Sequence, residues 1–347
     1  MNALRRAWAF VAGQRLGILA LALLVLLPVF AAPKVRMPGG TYAWLFVIDI
    51  TESMNVRDVD ARKPDESRLD RAKASVVAAL ANLPCGSTAA VALFAGTDTV
   101  TLFEPLEVCA HFPAIEQAVR NIDWRMAWDG DSRIEAALVN AIGEAEKRHL
   151  DLVFVTDGDE APHVDVPRLG DLLAIRGPVH GWLLGVGSAE PRPVPRLDAD
   201  NRIVGYWTAI DAARQGFHPN LVETIEHASA EDLEKAGALD DVVEHRSALR
   251  AAYLKQLGTA AGLGYETADS DDTLAKLAVD GTLRREENAD RDVRFVFGLA
   301  AALLLLIDRL CLHRGASGVV PRNDAKTMRP RRRVPEITPD GPSPIAQ

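Results

Sequence analysis

The chain has 347 residues, with 39 basic and 48 acidic side chains and a formal net charge of −9. Its 48% apolar and 25% charged content is that of a globular protein, which excludes a disordered, collagenous or multi-span transport chain. The acidic balance gives no footing for a nucleic-acid partner, and three cysteines without a CxxC pair exclude a disulfide-built scaffold or a zinc-type cluster.

Residues 1–32 carry only Arg5, Arg6 and Arg15 as charged groups, ahead of an apolar run from Leu16 to Phe30. That pattern is a signal sequence or a membrane anchor. Val29-Phe30-Ala31 offers a cleavage site, and Pro28 with so short an apolar run favours cutting. Counting back through Trp8 to Val11 lengthens the segment towards the ~20 residues of a spanning helix, so on length it reads as an uncleaved signal-anchor.

From residue 41 short apolar runs alternate with longer amphipathic stretches, the pattern of an α/β sheet. Tyr42 to Ile48 reads as a fully buried central strand and Arg68 to Leu83 as a helix. Thr88 to Phe94 and Thr99 to Phe103 are separated by Ala95-Gly96-Thr97-Asp98, which predicts an antiparallel edge hairpin. Helices over 112–121 and 133–147, and strands over 152–156 and 179–186, follow. An irregular segment opens at Pro191, with helical character returning near Leu221. Leu249 to Ala261 reads as a helix, Leu263 to Thr267 as the last strand and Asp271 to Leu277 as the closing helix. The sheet domain therefore spans 41–280 and carries an insertion at about 188–246, longer than ordinary connections and so a candidate functional element.

A second apolar run, Phe295 to Ile307, is extended by Val293 and by Leu310 to Leu312, and predicts a transmembrane helix over 293–312. A buried core helix is the alternative, because 13 uncharged residues is short. The basic tail over 313–347 decides for the membrane: Arg314, Arg322, Lys326, Arg329 and Arg331 to Arg333 lie outside the run. The positive-inside rule then places both termini in the cytoplasm. Between the two runs stand 27 basic and 44 acidic residues, a net charge of −17. In a bacterial chain this acidic domain faces the periplasm from the inner membrane.

Cys85 precedes the first hairpin strand and Cys109 follows the second. An antiparallel hairpin returns to the end it started from, so the two sulfurs are predicted to meet as a disulfide in an oxidising compartment. Two buried free thiols are the alternative. Cys311, at the membrane boundary, is expected to stay free.

The sharpest chemistry is Asp49-Ile50-Thr51-Glu52-Ser53 at the carboxyl end of the first buried strand, where open α/β sheets collect ligands. Thr156-Asp157-Gly158-Asp159 ends a second buried strand at the same edge, and Ser132 starts a helix between them. Two carboxylates with three hydroxyls are hard oxygen donors, suited to Mg²⁺, Ca²⁺ or Mn²⁺ and poorly suited to zinc. Each piece alone has a plain structural use, as a helix cap or a glycine turn. Their order and placement together point to a metal.

This set resembles the metal-ion-dependent adhesion site (MIDAS) of von Willebrand factor type A (VWA) domains, with Asp49, Thr51, Ser53, Ser132 and Asp157 in the family's metal positions. The resemblance implies a doubly wound, mostly parallel Rossmann-like VWA sheet with one antiparallel edge strand, here flanked by two transmembrane helices. It also implies direct hydroxyl contacts to the cation, carboxylates acting through water, and one position open to an acidic residue of a partner protein. Thr51 and Ser132 each exchange one hydroxyl residue for the other and keep the donor.

No Ser or Cys has a His base in a recognisable motif, so the chain is expected not to be an enzyme. A hydrolytic pair of Asp49 and Asp157 is the weak alternative. Trp124 and Trp128 precede the Ser132 element and are candidates to ring the metal mouth, with core packing the competing role. Asp159 and Glu160 are candidates for a second cation or simply a solvated acidic loop.

Asp49 to Asp58 followed by Ser67-Arg68-Leu69-Asp70-Arg71-Ala72-Lys73 resembles membrane-anchored bacterial VWA proteins, including the Bat-type stress proteins. Leu83 to Ser87, Glu107 to Ile115, Asp123 to Trp128 and Gly130 to Ile134 look closer to the L-type VWA accessory proteins of the methanol-oxidation (Mxa) cluster. That second resemblance implies help in maturing a periplasmic calcium- and quinone-dependent methanol dehydrogenase, by calcium insertion or by assembly with other accessory proteins.

Overall fold

The structure, a computed structural model, describes residues 2–31, 33–164, 166–214 and 239–316, together with 229, 232, 233 and 237. The chain divides into a helical unit, Met1–Pro33 with Asp292–Gln347, and a sheet unit, Lys34–Arg291. The helical unit begins with α1 (Asn2–Phe30). The sheet unit opens with β1 (Lys34–Thr41), β2 (Ala43–Asp49), α2 (Arg68–Asn82), β3 (Thr88–Ala95), β4 (Asp98–Glu107), α3 (Val108–Arg120), α4 (Ile134–Lys147) and β5 (Asp151–Thr156). It continues through α5 (Gly170–Ala174), β6 (Gly181–Gly185), β7 (Arg192–Pro193), β8 (Pro195–Leu197), β9 (Ile203–Tyr206), α6 (Ala209–Ala212) and β10 (Arg246–Ser247). Last come α7 (Ala251–Ala261), β11 (Gly264–Thr267), α8 (Asp272–Ala278) and β12 (Arg285–Asp292), before α9 (Arg294–Ala316) closes the helical unit.

Six strands form the central sheet in the order β11-β6-β5-β2-β3-β4. All neighbours are parallel except β3 and β4, which pair antiparallel as the edge hairpin. This is the expected α/β sheet. β2 is buried on both faces because helices cover both, and its alternate residues divide the core. Trp44, Phe46 and Ile48 pack with Leu69, Val76 and Leu80 of α2, Ile115 of α3 and Leu274 of α8. Leu45 and Val47 pack on the other face with Leu138 of α4 and Leu254 and Leu257 of α7. The one polar atom of Trp44 is satisfied by donating to the Ala278 carbonyl at 3.1 Å.

Local chemistry sets the boundaries. Ser67 and Asp70 close a reciprocal capping box on α2, each side chain accepting from the other's backbone N–H. β4 runs on past the expected Phe103 because Pro105, which lacks an N–H, is tolerated on an edge strand. α3 starts at Val108 instead of 112, since the Glu107 carboxylate caps it by accepting from Ala110 N at 2.6 Å. The same carboxylate accepts from Gly86 N at 2.7 Å, and Cys85 and Cys109 form a disulfide at that corner with Cα atoms 5.2 Å apart.

The sheet unit begins at β1, not at residue 41, because β1 pairs with β12 in a separate two-stranded ladder. The insertion holds more order than its sequence promised. β7 and β10 pair at its neck, β8 and β9 form a hairpin, and Ala212, Ala213, Leu233 and Val242 make a small core of their own. The helix expected near Leu221 and the tail beyond Ala316 lie outside the described residues.

In the helical unit α1 and α9 pack together, with Ala22 and Ala301 buried while Leu16, Leu23, Phe295 and Leu299 face outward. Both segments read as spans, 1–32 and 293–312, are thus helical. Among the described residues, however, no helix is long and apolar enough to cross a membrane. The uninterrupted apolar runs are 15 and 13 residues, and approach the ~20 of a bilayer core only with their flanking apolar residues counted.

The disulfide closes a 24-residue separation around the edge hairpin. Replacing both cysteines by serine is expected to lower unfolding free energy by about 2–4 kcal/mol, read from denaturant melts of the full-length chain under non-reducing conditions.

Candidate metal centre

β2 and β5 are parallel neighbours with Ile48 paired to Val155, so both deliver their carboxyl ends to one sheet edge. Asp49 is fully buried there. Its Oδ1 accepts from Thr51 N at 2.9 Å and Thr51 Oγ1 at 2.7 Å, and its Oδ2 accepts from Thr156 Oγ1 at 2.6 Å. Ser53 sits on the short helical turn Glu52–Asn55, its Oγ 3.3 Å from Thr51 Oγ1.

Ser132 arrives from the other side, held chiefly by backbone hydrogen bonds. Its N–H donates to Ala161 O at 2.8 Å and its carbonyl accepts from Ala161 N at 3.0 Å, while its neighbours Asp131 and Arg133 bond Gly96. Ser132 Oγ donates to Asp159 O at 2.9 Å. Thr51, Ser53 and Ser132 then line one cavity of about 40 Å³, room for a cation with a water.

Asp157 is oriented differently. Its Oδ1 accepts from Asp159 N at 3.0 Å, and its Oδ2 accepts from Arg68 Nη1 at 2.7 Å and Ser247 Oγ at 3.3 Å. Gly158 follows with φ +83°, and a Cβ there would lie 2.9 Å from Leu254 Cγ, so the turn that presents Asp157 needs glycine. Arg68 is wholly buried and also bonds Asp58 through two parallel contacts of 3.0 and 2.7 Å.

The structure therefore gathers all five sequence-chosen residues at one edge, with three hydroxyls on the cavity and two carboxylates set behind them. Among the described residues no cluster of three or more His, Cys, Asp or Glu forms a ligand set. The donors here are chiefly hydroxyls.

The cavity walls hold Glu52, Asp159 and Glu160 from the core and Val194, Trp207, Ala212 and Glu244 from the insertion. Trp124 and Trp128 do not line it, and of the two roles open to them Trp124 takes core packing. Trp124 packs on the core and donates from Nε1 to Asn201 Oδ1 at 2.7 Å, and Trp128 is 44% exposed. Trp207 takes the wall position, its ring stacked under the Arg196 guanidinium at 4.8 Å. Glu160 is held inward by Tyr253, whose hydroxyl donates to it. Arg68, Thr156, Ser247 and Trp207 were not singled out from sequence. Arg68 and Thr156 stand inside strings read from the sequence, where neither was given a role.

Residues 44–160 match the von Willebrand factor type A domain family, and a VWA domain is present in this chain. A comparison with curated proteins finds no match. Among solved structures, an aerotolerance-related membrane protein from Bacteroides fragilis is similar at 15% identity, covering 68% of this chain and 95% of that one, with a TM-score of 0.43. The conserved hypothetical protein BatB from Bacteroides thetaiotaomicron is similar at 16% identity, covering 68% and 94%, with a TM-score of 0.44. A von Willebrand factor type A structure from Catenulispora acidiphila shares 13% identity over 72% and 44%, with a TM-score of 0.40.

Burial, and then the charge of Asp157, push the Asp49 carboxyl up to about 7, against the hydrogen bonds of Thr156 and Thr51. The same two causes push Asp159 up to about 7. Folded-state values raised in this way contribute stability below the unfolded value of about 4, and that contribution is lost as pH rises through about 7. The cation-free protein should therefore lose thermal stability over that window. Added Ca²⁺ or Mg²⁺ should raise the melting temperature more at about pH 8 than at about pH 5, because the proton competes for the same carboxylates. Thermal melts with EDTA and with excess cation check both signs. Arg68→Ala leaves Asp58 and Asp157 buried without a counter-charge, and should cost about 3–5 kcal/mol in denaturant unfolding.

Proposed function

We propose that this chain is a membrane-tethered, non-enzymatic VWA module that holds a divalent cation and works on a protein partner at the periplasmic face of the inner membrane. The observation that carries it is the cavity lined by Thr51, Ser53 and Ser132 with Asp49 and Asp157 behind it. That donor set fits Mg²⁺ or Ca²⁺, and the three hydroxyls with water relayed from the two carboxylates would hold the ion. When bound, the cation supplies a positive centre that can bind a carboxylate. Among the described residues that line the cavity there is no His to serve a Ser as base, which supports a binding role over a hydrolytic one.

Tethering is supported by the helical unit. Alanines at the α1–α9 contact and leucines and phenylalanines outward are the reverse of a soluble helix pair, and suit a lipid surface. The basic residues outside both runs support a cytoplasmic position for the termini.

For the partner, we favour a calcium- and quinone-dependent methanol dehydrogenase, with maturation as the task, on the resemblance of Leu83 to Ser87, Glu107 to Ile115 and Asp123 to Ile134 to the L-type Mxa accessory proteins. The cavity's acidic walls, Glu52, Asp159, Glu160 and Glu244, support a cation at this site, because negative potential attracts it, with calcium insertion or assembly as the task. A Bat-type stress-tolerance adaptor is the alternative reading, carried by Asp49 to Asp58 and Ser67 to Lys73.

The test is capture of methanol dehydrogenase by the full-length chain in detergent. Wild type with Ca²⁺ should retain the enzyme, while Asp49→Ala, or EDTA with wild type, should drop recovery at least about tenfold, the scale of one lost charge-assisted contact. Equal recovery in all three conditions overturns the cation-dependent reading.

A further inference from the structure

The Arg68 guanidinium has every one of its N–H groups committed. Nε and Nη2 donate to Asp58 Oδ1 and Oδ2 at 3.0 and 2.7 Å, Nη1 donates to Asp157 Oδ2 and Ser247 Oγ at 2.7 and 2.6 Å, and Nη2 also reaches the Ser247 carbonyl at 3.2 Å. The side chains of Arg68 and Asp157 are wholly buried, and that of Asp58 is 3% exposed. Gly187, at φ +117°, leaves the space the guanidinium fills, since a Cβ there would fall 2.5 Å from Nε. The positive charge is therefore fixed beside Asp157, with no other orientation open to it.

The two carboxylates of the candidate cation site differ in what this leaves them. Asp157 accepts from Asp159 N on Oδ1 and from Arg68 and Ser247 on Oδ2, so a whole positive charge already faces it. Asp49 also has three donors, Thr51 N, Thr51 Oγ1 and Thr156 Oγ1, but all of them are neutral. A divalent cation entering beside Thr51, Ser53 and Ser132 thus meets one uncompensated carboxylate behind its hydroxyls where the sequence offers two. Ligand charge is what moves such sites across orders of magnitude in affinity. Glu52, Asp159 and Glu160 on the cavity wall raise the local concentration of cations, whereas Arg68 acts on the ligand set itself.

We propose that Arg68 sets the affinity of the cation site, holding it low by compensating the charge of Asp157, so that the protein carries a divalent cation it can release. This rests on the reading that the cavity holds such a cation. The guanidinium and the ion share one carboxylate, and each lowers the other's hold on it. Asp58 limits the effect by drawing part of the guanidinium's charge to itself. A site of this kind loads where the cation is plentiful and yields it to an acceptor site with more uncompensated carboxylates.

The experiment is Ca²⁺ titration of the full-length chain in detergent, read by calorimetry and by melting temperature. Arg68→Ala alone leaves two buried carboxylates unpaired, so the informative variant is Asp58→Asn with Arg68→Gln, which removes one charge of each sign and keeps the net charge. It should lower the melting temperature of the cation-free protein and yet bind Ca²⁺ at least about tenfold more tightly than wild type, because Asp157 regains its charge. A purely structural Arg68 predicts instead that stability and affinity fall together. Asp58→Asn alone keeps the guanidinium and turns it wholly onto Asp157, and should weaken Ca²⁺ about fivefold. Unchanged or weaker binding in the double variant overturns the proposal and leaves the cation site standing; where that variant does not fold, wild-type affinity in Asp58→Asn overturns it. Neither calcium heat nor a shift in melting temperature, in wild type and double variant alike, removes the cation reading, and the role of Arg68 falls with it.

Discussion

Two carboxylates, Asp49 and Asp157, are taken wholly out of water at one edge of a parallel sheet, and much of the molecule answers that desolvation. It does so unequally. Asp49 receives only neutral donors, two hydroxyls and an amide, so its charge is incompletely compensated and its carboxyl is pushed up. Asp157 receives a guanidinium. Burial alone would lower the Arg68 pKa, but the hydrogen bond to Asp58 and the charges of Asp157 and Asp58 raise it instead, so this cation is permanent. One carboxylate is thus neutralised from inside the protein and the other is left wanting a positive partner, which is the electrostatic condition for holding a metal ion.

The sheet makes this arrangement possible. Parallel strands end together, so residues 107 positions apart in sequence, Asp49 and Thr156, meet within a hydrogen bond. Helices on both faces exclude water from β2 and β5, which makes each polar contact at their ends matter more. Val194, Trp207, Ala212 and Glu244 of the insertion add a wall to the cavity at that edge. Function and packing meet at Arg68, whose loss would expose the insertion's neck and the candidate site alike.

Much of this was legible in the chain itself. β2, α2, the edge hairpin, α4, β5 and α7 follow from apolar periodicity, because burial on one or both faces leaves a period that survives in sequence. Asp49, Thr51, Ser53, Ser132 and Asp157 were legible because each stands at a strand or helix end. The boundaries of β4 and α3 were not, since they depend on Pro105 finding a sheet edge and on Glu107 turning back to cap. The tryptophans show the same divide. Trp124 and Trp128 adjoin a site residue in sequence, yet Trp207, 75 positions after Ser132, forms the cavity wall.

By itself the sequence determined the α/β alternation, the segregation of charge into an acidic domain and basic ends, and the hydroxyl and carboxylate set. These are properties of local pattern and composition, which the chain carries whether folded or not. Only the tertiary structure decided that Arg68 pairs with Asp58 and Asp157, that Ser247 completes that cluster, and that Val194, Trp207, Ala212 and Glu244 line the cavity. Those contacts join residues 89 and 179 positions apart. Their stability comes from being buried together, and burial at such separations leaves no period in the sequence to read.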